Sequence, residues 1–217
     1  MEQNRIYDAA MAAFRRNGVK ATNMGELAVQ LRISKRTLYE LCHDKQTLLR
    51  RCIRREVGRE SLWLEKVVRR HSASPLRSIV RIYLHTIRYA NSFNPVFFPE
   101  LSADTYFRIV WTGYYRLLGQ KYGLLLRRCR QADLCLPDCT DRTLVDFLCQ
   151  RFIEISTGAI APDRAAPELS GFIVRAVLSG ICTQAGLNEL FKEDSAQQIE
   201  DITQLREVFR CIRDKSF

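Results

Sequence analysis

The sequence lacks long apolar runs. No stretch approaches the roughly 18 consecutive apolar residues that a membrane-spanning helix needs, and the N-terminus has no apolar core of the kind found in signal peptides. Low-complexity and strongly biased tracts are also missing, although 47% of the 217 residues are hydrophobic. We therefore expect an ordered globular chain in the reducing cytoplasm, with no membrane partner.

Metal-binding spacing is absent even though the chain has eight cysteines. No Cys-x-x-Cys pair occurs, and Cys129, Cys135 and Cys139 lack a nearby His at zinc-site spacing. We expect buried, reduced thiols, no metal and no cofactor. The cysteines are Cys42, Cys52, Cys129, Cys135, Cys139, Cys149, Cys182 and Cys211.

Catalytic motifs are missing as well. The sequence contains no nucleophile elbow and no phosphate-binding loop, and Glu154, His71 and His85 have no partners at catalytic spacing. We therefore predict no catalytic residues and no enzymatic activity. A helical enzyme without a recognisable motif is kept as an alternative.

No alternating strand pattern appears, so the predicted class is all-α. Apolar residues at helical spacing predict helices over Pro75–Phe93, from near Pro99, from about Tyr106 into the 130s, and over Thr143–Ile155, Glu168–Leu190 and Ala196–Arg213. The segment Gly158–Pro167 is expected to be a non-helical break between the helices Thr143–Ile155 and Glu168–Leu190.

The charge of the chain is basic and unevenly distributed. The net charge is +10, and residues 1–60 hold thirteen Lys and Arg against seven Asp and Glu. A concentrated positive charge attracts polyanions, and nucleic acid is the natural partner. Non-specific binding of polyanions or of an anionic membrane surface gives the same count and stays open, as does a merely solvated basic face.

The first sixty residues predict four helices. Ile6, Ala10 and Phe14 form one apolar stripe that Gly18 ends. Asn23, Ser34 and Asp44 are predicted N-caps of the next three helices, with Glu26 completing a capping pair with Asn23. The second and third helices are short and joined by a tight turn, which is the arrangement of a helix-turn-helix.

These residues resemble the TetR-family DNA-binding domain over about the first 50 positions. The resemblance is carried by Tyr7-Asp8-Ala9-Ala10, Phe14, Asn17-Gly18, Thr22-Asn23-Met24, Leu27-Ala28, Ile33-Ser34-Lys35-Arg36-Thr37-Leu38-Tyr39, Asp44-Lys45 and Leu48-Leu49. The sequence departs from the family at Arg32, where Gly is frequent, and at Cys42, where an aromatic residue is common.

The resemblance implies a bacterial transcription regulator, by family habit a repressor, that binds double-stranded DNA as a homodimer and responds to an unknown small molecule. It implies a three-helix helix-turn-helix head over residues 1–50 and a helical-bundle sensor and dimerisation domain over residues 51–217. A helix from about residue 45 to 70 would link the two domains.

The predicted DNA contacts lie in and around the third helix. Arg36 suits bidentate contact with guanine, and Thr37 suits a base or methyl contact. Tyr39 and Lys45 suit phosphate, which is also the usual role of the matching family positions. The full predicted set is Lys35, Arg36, Thr37, Tyr39, His43, Lys45, Thr22 and Asn23.

Some of these residues have plainer interpretations. Packing between helices competes for Tyr39, and capping is the leading interpretation of Asn23 and Ser34. An ordinary solvated lysine is the competing interpretation of Lys45, and for His43 a solvated or locally hydrogen-bonded side chain is the leading interpretation. Glu40 either accepts a hydrogen bond from a cytosine amino group or orients Arg36.

Two further sets in the remaining chain come from the resemblance, and ordinary core packing competes for both. The first is an aromatic cluster predicted to line an effector pocket: Tyr83, Tyr89, Phe97, Phe98, Phe107, Trp111, Tyr114 and Tyr115. The second is a predicted dimer interface: Val145, Leu148, Cys149, Phe152, Ile173, Ala176, Val177 and Gly180.

Overall fold

The computed structural model describes residues 2–69, 74–102, 104–136, 141–156 and 167–192. Within them the chain forms ten α-helices and one isolated antiparallel bridge, between Cys135 and Cys182. The helices are α1 Glu2–Asn17, α2 Met24–Leu31, α3 Lys35–Cys42, α4 Lys45–Arg69, α5 Pro75–Asn91, α6 Phe97–Ser102, α7 Thr105–Gln131, α8 Asp141–Ser156, α9 Pro167–Ser179 and α10 Gln184–Leu190. The all-α prediction is confirmed.

The first three helices form an N-terminal head with its own apolar centre. The α1 stripe of Ile6, Ala10 and Phe14 is buried, and Leu27 of α2 and Leu38 of α3 are buried with it. Helix α1 stops at Gly18, whose φ of +83° is a left-handed conformation that side chains rarely adopt.

Helix α4 belongs to the head at one end and to the helical body at the other. Asp44 caps its start by accepting a hydrogen bond from Thr47 N at 2.5 Å. Leu48 and Ile53 in its first half are buried in the part that packs on α1, while Leu64 and Val68 lie in the half that packs on α5 and α7. Helix α4 therefore connects the head to the body.

The body surrounds α5, which packs against α4, α7, α8, α9 and α10. Large side chains fill this centre, among them Tyr122, Phe97, Phe107 and Phe152, each less than 2% exposed. Pro75 begins α5 at a position where its missing N–H costs nothing.

The predicted helix over Glu168–Leu190 is wrong in one respect, because the chain breaks it after Ser179. Thr183 caps α10 by accepting from Gly186 N at 3.1 Å, and Leu136 N donates to Ile181 O at 2.8 Å. These contacts turn the chain at residues 180–183. The predicted helix Ala196–Arg213 and most of the predicted break at Gly158–Pro167 lie outside the described residues.

None of the helices in the described ranges is long and apolar enough to cross a membrane.

Candidate nucleic-acid interface and the interior of the body

The turn between α2 and α3 sets the position of the third helix. Arg32 ends α2 in a left-handed conformation, with φ 59° and ψ 40°, and its N–H donates to Ala28 O and Val29 O. Ser34 then begins α3 by accepting from Thr37 N at 3.0 Å. Arg32, where the family often has Gly, thus adopts the backbone conformation for which Gly is preferred.

Helix α3 buries one face and exposes the other. Leu38 and Cys42 are 0% and 1% exposed, so this side is fixed in the head. Lys35, Arg36 and Tyr39 face outward and are exposed. Such a helix presents polar groups on a rigid support, as reading base edges in a major groove requires.

Arg36 is the most prominent of these side chains. It is 89% exposed, and its Nε donates to Glu40 Oε1 at 2.9 Å. Glu40 therefore orients Arg36, which is one of the two roles expected for it. An exposed pair four residues apart on a helix is worth only about 0.3–0.5 kcal/mol, so Arg36 can leave Glu40 at little cost.

The neighbouring residues predicted to contact DNA differ in their exposure and in the contacts they already make. Thr37 is half-buried, with its hydroxyl 2.8 Å from Ser34 Oγ. Lys35 Nζ lies 6.0 Å from the centre of the Tyr39 ring, and Tyr39 is 38% exposed. His43 is exposed at the end of α3, and its N–H donates to Tyr39 O at 2.7 Å.

Thr22 is not available as a DNA contact, and this prediction is corrected. Its side chain is 3% exposed, and its hydroxyl donates to Gly18 O at 2.6 Å. The residue closes the loop between α1 and α2 instead. Asn23 is exposed but caps α2 by accepting from Gly25 N at 2.7 Å, in agreement with its leading interpretation.

Lys45 connects the same loop to the start of α4. Its Nζ donates to Lys20 O at 3.0 Å. An ammonium group has three donors, so this bond leaves two for another acceptor such as a phosphate.

Two acidic residues that the sequence analysis missed fasten the body to the head. Glu100 of α6 accepts hydrogen bonds from Val19 N at 2.6 Å and Lys20 N at 3.0 Å. Asp104 accepts from Gln46 Nε2 at 2.5 Å and pairs with Arg50 at 3.4 Å. The N-cap position of Asp104 before α7 is a sequence signal, but its contacts with α4 depend on tertiary structure.

The charge of Asp104 is supported by these contacts. Desolvation acts to raise its pKa, but the hydrogen bond from Tyr106 N and the guanidinium of Arg50 outweigh it and hold the pKa below its usual range. Asp104 therefore stays ionised and can hold α4 at any pH near neutrality.

A further junction joins α1, α4 and the segment that follows α5. Arg15 of α1 pairs with Glu56 of α4 at 2.7 Å, and its guanidinium lies 4.5 Å from the centre of the Phe93 ring. Asn94, just beyond Phe93, donates its backbone N–H to Arg15 O at 2.7 Å. The last turn of α1 is thus held by the segment that leads into α6.

The predicted aromatic pocket residues occupy the interior of the body. Tyr83, Tyr89, Phe97, Phe98, Phe107 and Tyr114 are buried, and Trp111 and Tyr115 are half-buried. Ring contacts run from Phe97 to Phe98 (5.3 Å), from Phe98 to Trp111 (5.6 Å) and from Trp111 to Tyr114 (6.1 Å). Phe107 instead contacts Tyr106 at 5.4 Å.

Some polar atoms in this interior lack partners. Among the described residues no hydrogen bond reaches the hydroxyl of Tyr89 or the indole N–H of Trp111, whereas the hydroxyls of Tyr114 and Tyr122 lie beside Thr86. Burial raises the pKa of all three tyrosines, so these hydroxyls stay protonated. A buried donor without a partner costs about 1–3 kcal/mol, which a suitable ligand would recover.

The predicted dimer residues of α8 are partly corrected. Leu148, Cys149 and Phe152 are 1%, 8% and 1% exposed, and the Phe152 ring lies 5.6 Å from that of Tyr114. They fill the core of their own chain, so they leave little surface for a partner. Val145 is half-buried.

The predicted dimer residues at α9 include both exposed and buried side chains. Ile173 is 38% exposed, Val177 is half-buried and Ala176 is 8% exposed. Gly180 lies in the turn beyond the helix. The sequence analysis missed Leu169 and Phe172, which are 53% and 37% exposed and extend the apolar face that Ile173 begins.

Comparison with known proteins agrees with this geometry at the head. Residues 6–52 match the family described as "Bacterial regulatory proteins, tetR family". Residues 6–52 are thus similar to the DNA-binding head of the tetR family, in agreement with the resemblance. No curated protein matches the sequence.

Solved structures share the fold at low sequence identity. The reduced form of Escherichia coli NemR is 12% identical, with 84% of this chain and 97% of that chain covered and a TM-score of 0.66. SmeT, the repressor of the Stenotrophomonas maltophilia efflux pump SmeDEF, is 16% identical over 85% and 92%, with a TM-score of 0.59. AibR in complex with isovaleryl coenzyme A and operator DNA is 14% identical over 79% and 97%, with a TM-score of 0.56.

Proposed function

We propose that the chain is a ligand-responsive transcription repressor that binds a near-palindromic operator as a homodimer. The observation that carries the proposal is the exposed polar face of α3, held on a tetR-family head whose fourth helix continues into the body. We place the end of the DNA-binding head near residue 50, within α4, and the sensor and dimerisation domain after it.

In the bound state, Arg36 leaves Glu40 and donates two hydrogen bonds to a guanine edge, while Thr37 contacts a neighbouring base. Tyr39 and Lys45 bind phosphates and fix the orientation of α3. Lys35 and His43 lie at the same surface and add positive charge or a further hydrogen bond there.

A homodimer would use the apolar face of α9. Leu169, Phe172 and Ile173 are exposed in the single chain, and their burial against a second copy is favourable because it removes apolar surface from water. Two heads about 34 Å apart would then bind successive major grooves of a two-fold-symmetric site.

The effector would be a largely apolar small molecule with at least one hydrogen-bond acceptor. Aromatic rings line the interior, and the unpaired Trp111 N–H is a donor only, so an oxygen of the ligand would satisfy it. AibR is seen with both a coenzyme A thioester and operator DNA, which supports a ligand-responsive function for chains of this fold.

Helix α6 offers a direct route from this interior to the head. Phe97 and Phe98 belong to the aromatic cluster, and Glu100 on the same helix holds the backbone of Val19 and Lys20. A ligand that fits best when α6 is displaced would favour a different head position and weaken operator binding by its affinity difference between the two states.

The test is selection of bound duplexes from a random pool at fixed salt concentration, repeated with Arg36→Ala, Lys45→Ala and Arg69→Ala. Arg69 is an exposed cation at the far end of α4, with its side chain 82% exposed, and serves as the matched control. We expect a two-fold-symmetric site whose preference at one base pair is lost with Arg36→Ala. Lys45→Ala should weaken all sites evenly, and Arg69→Ala should change neither property.

The same selection can also refute the proposal. Salt-sensitive binding without an enriched sequence, together with binding to anionic vesicles, would refute the specific-repressor proposal and favour non-specific attraction to polyanions or membranes.

A further inference from the structure

Two cysteines far apart in sequence face each other where the end of α7 meets the turn between α9 and α10. Leu136 N donates to Ile181 O at 2.8 Å, and Thr183 N donates to Leu134 O at 3.0 Å, so Cys135 and Cys182 are directly opposite in an antiparallel pair. In this hydrogen-bonding pattern the opposite residues form a non-hydrogen-bonded pair, for which the Cα atoms lie about 4.5 Å apart. That spacing lies within the range of about 4.4–6.8 Å found for disulfides.

The backbone around the pair is firmly held. The Thr183 hydroxyl donates to Asp133 O at 2.7 Å and accepts from Gly186 N at 3.1 Å. Gly186 sits so close that a Cβ there would lie 2.0 Å from Leu134 O. The two cysteines are therefore kept in register, and little motion is needed to bring their sulfurs together.

The surroundings favour Cys135 as the first sulfur to react. Cys135 is 7% exposed, whereas Cys182 and Cys129 are 0% exposed. A hydrogen bond with Cys135 and burial raise the pKa of the Cys129 thiol, so Cys129 remains protonated and is a poor nucleophile. A small oxidant is needed, because Cys135 is only 7% exposed.

We propose that Cys135 and Cys182 form a reversible dithiol–disulfide site that hydroperoxides oxidise. The Cys135 sulfur attacks one peroxide oxygen, the O–O bond breaks, and a sulfenic acid forms with release of water, or of an alcohol from an alkyl hydroperoxide. The Cys182 sulfur then attacks the sulfenic sulfur, the S–O bond breaks, and water leaves as the S–S bond forms. The two sulfurs lose two electrons to the peroxide, and the two thiol protons end in the released products.

The cross-link would add a covalent bond between the end of α7 and the turn after α9, which hydrogen bonds already hold together. Cys135 follows α7, which carries Trp111 and Tyr114, and Cys182 follows α9, which carries the exposed apolar face. Oxidation would therefore restrict the movement of α9 relative to α7.

The test treats the full chain with hydrogen peroxide, blocks remaining thiols under denaturing conditions, and maps disulfides by mass spectrometry. Digestion with trypsin together with a protease that cuts before Asp separates Cys135, in residues 133–137, from Cys139, in residues 138–140. We expect a linked pair of the fragments 133–137 and 176–192 that disappears after treatment with dithiothreitol. A disulfide of Cys135 with Cys129 or Cys139, or no disulfide, would overturn the proposal.

Thr183→Val keeps every thiol but removes both hydrogen bonds of the hydroxyl. Without these bonds the register should loosen, and the disulfide should form about tenfold more slowly. Equal rates in the two proteins would contradict the role of the paired backbone. Cys42 and Cys52 are the control, because they are 1% and 2% exposed. If their free thiols were oxidised as fast as those of Cys135 and Cys182, the reaction would reflect general unfolding, and the proposal of a specific site would be overturned.

Discussion

Gly18→Ala should destabilise the protein through the contact between the head and α6. Two effects add at this position. A side chain at the φ of +83° costs about 1–2 kcal/mol, and the new Cβ would lie 2.7 Å from Val96 Cγ2 and 3.1 Å from Glu100 Oε2. Overpacking of this kind costs about 1–3 kcal/mol, while the stiffer unfolded chain returns about 0.4–1 kcal/mol.

The net loss should be about 1–5 kcal/mol of unfolding free energy. For a chain of this size that corresponds to a decrease in Tm of roughly 2–20 °C, measured by thermal unfolding with circular dichroism. Gly113→Ala is the matched control, because Gly113 lies within α7 with nothing within 4 Å of its Cβ position. That change should instead stabilise by about 0.5–1 kcal/mol.

A double variant separates the two effects. Val96 is 46% exposed, so Val96→Ala by itself should cost little. Combined with Gly18→Ala it removes the closest clash but leaves the backbone strain, and part of the lost stability should return. A double variant no more stable than Gly18→Ala would refute the packing argument. A Gly18→Ala protein as stable as the wild type would refute the whole reasoning.

Two further predictions concern the loops of the head, and a third concerns Asp104, which fastens the body to the head. Arg32→Gly should leave the free energy of unfolding unchanged or raise it by at most about 1 kcal/mol, because the relief of left-handed strain is offset by a freer unfolded chain. Denaturant titration measures this change, and a loss above about 1 kcal/mol would contradict the prediction. Thr22→Val should cost about 1–3 kcal/mol because Gly18 O loses its buried donor, with operator affinity of the folded protein unchanged; selective loss of DNA affinity would restore Thr22 as a contact. The pKa of Asp104 is lower in the folded chain than in the unfolded chain, where it is about 3.9. The ionised carboxylate therefore stabilises the folded chain at pH values above about 3.9, and this stabilisation is lost as the pH falls through the lowered pKa of the folded chain. The stability difference between wild type and Asp104→Asn, which preserves the cap, should be present at pH 7 and vanish in acid; a difference independent of pH would contradict the assignment.

Local sequence patterns determined much of the head. Caps and turn residues act within a few positions of the chain, so Asn23, Ser34 and Asp44 indicated the starts of α2, α3 and α4, and Gly18 the end of α1. The periodicity of apolar residues likewise predicted helices close to α5, α7 and α8. The family resemblance rested on the same local residues, and the match to residues 6–52 confirmed it.

Tertiary structure decided which face of each helix meets which neighbour. An apolar side chain such as Phe152 satisfies a core and a dimer interface equally well in sequence, and only packing placed it against Tyr114. The sequence predicted Thr22 as an exposed loop hydroxyl, whereas the folded loop buries it and bonds it to Gly18 O. The contacts of Glu100 with Val19 and Lys20 join positions about 80 residues apart, and no local pattern encodes such a distance. The helix break after Ser179 has the same origin, because residues 134–136 supply the partners that make the turn favourable.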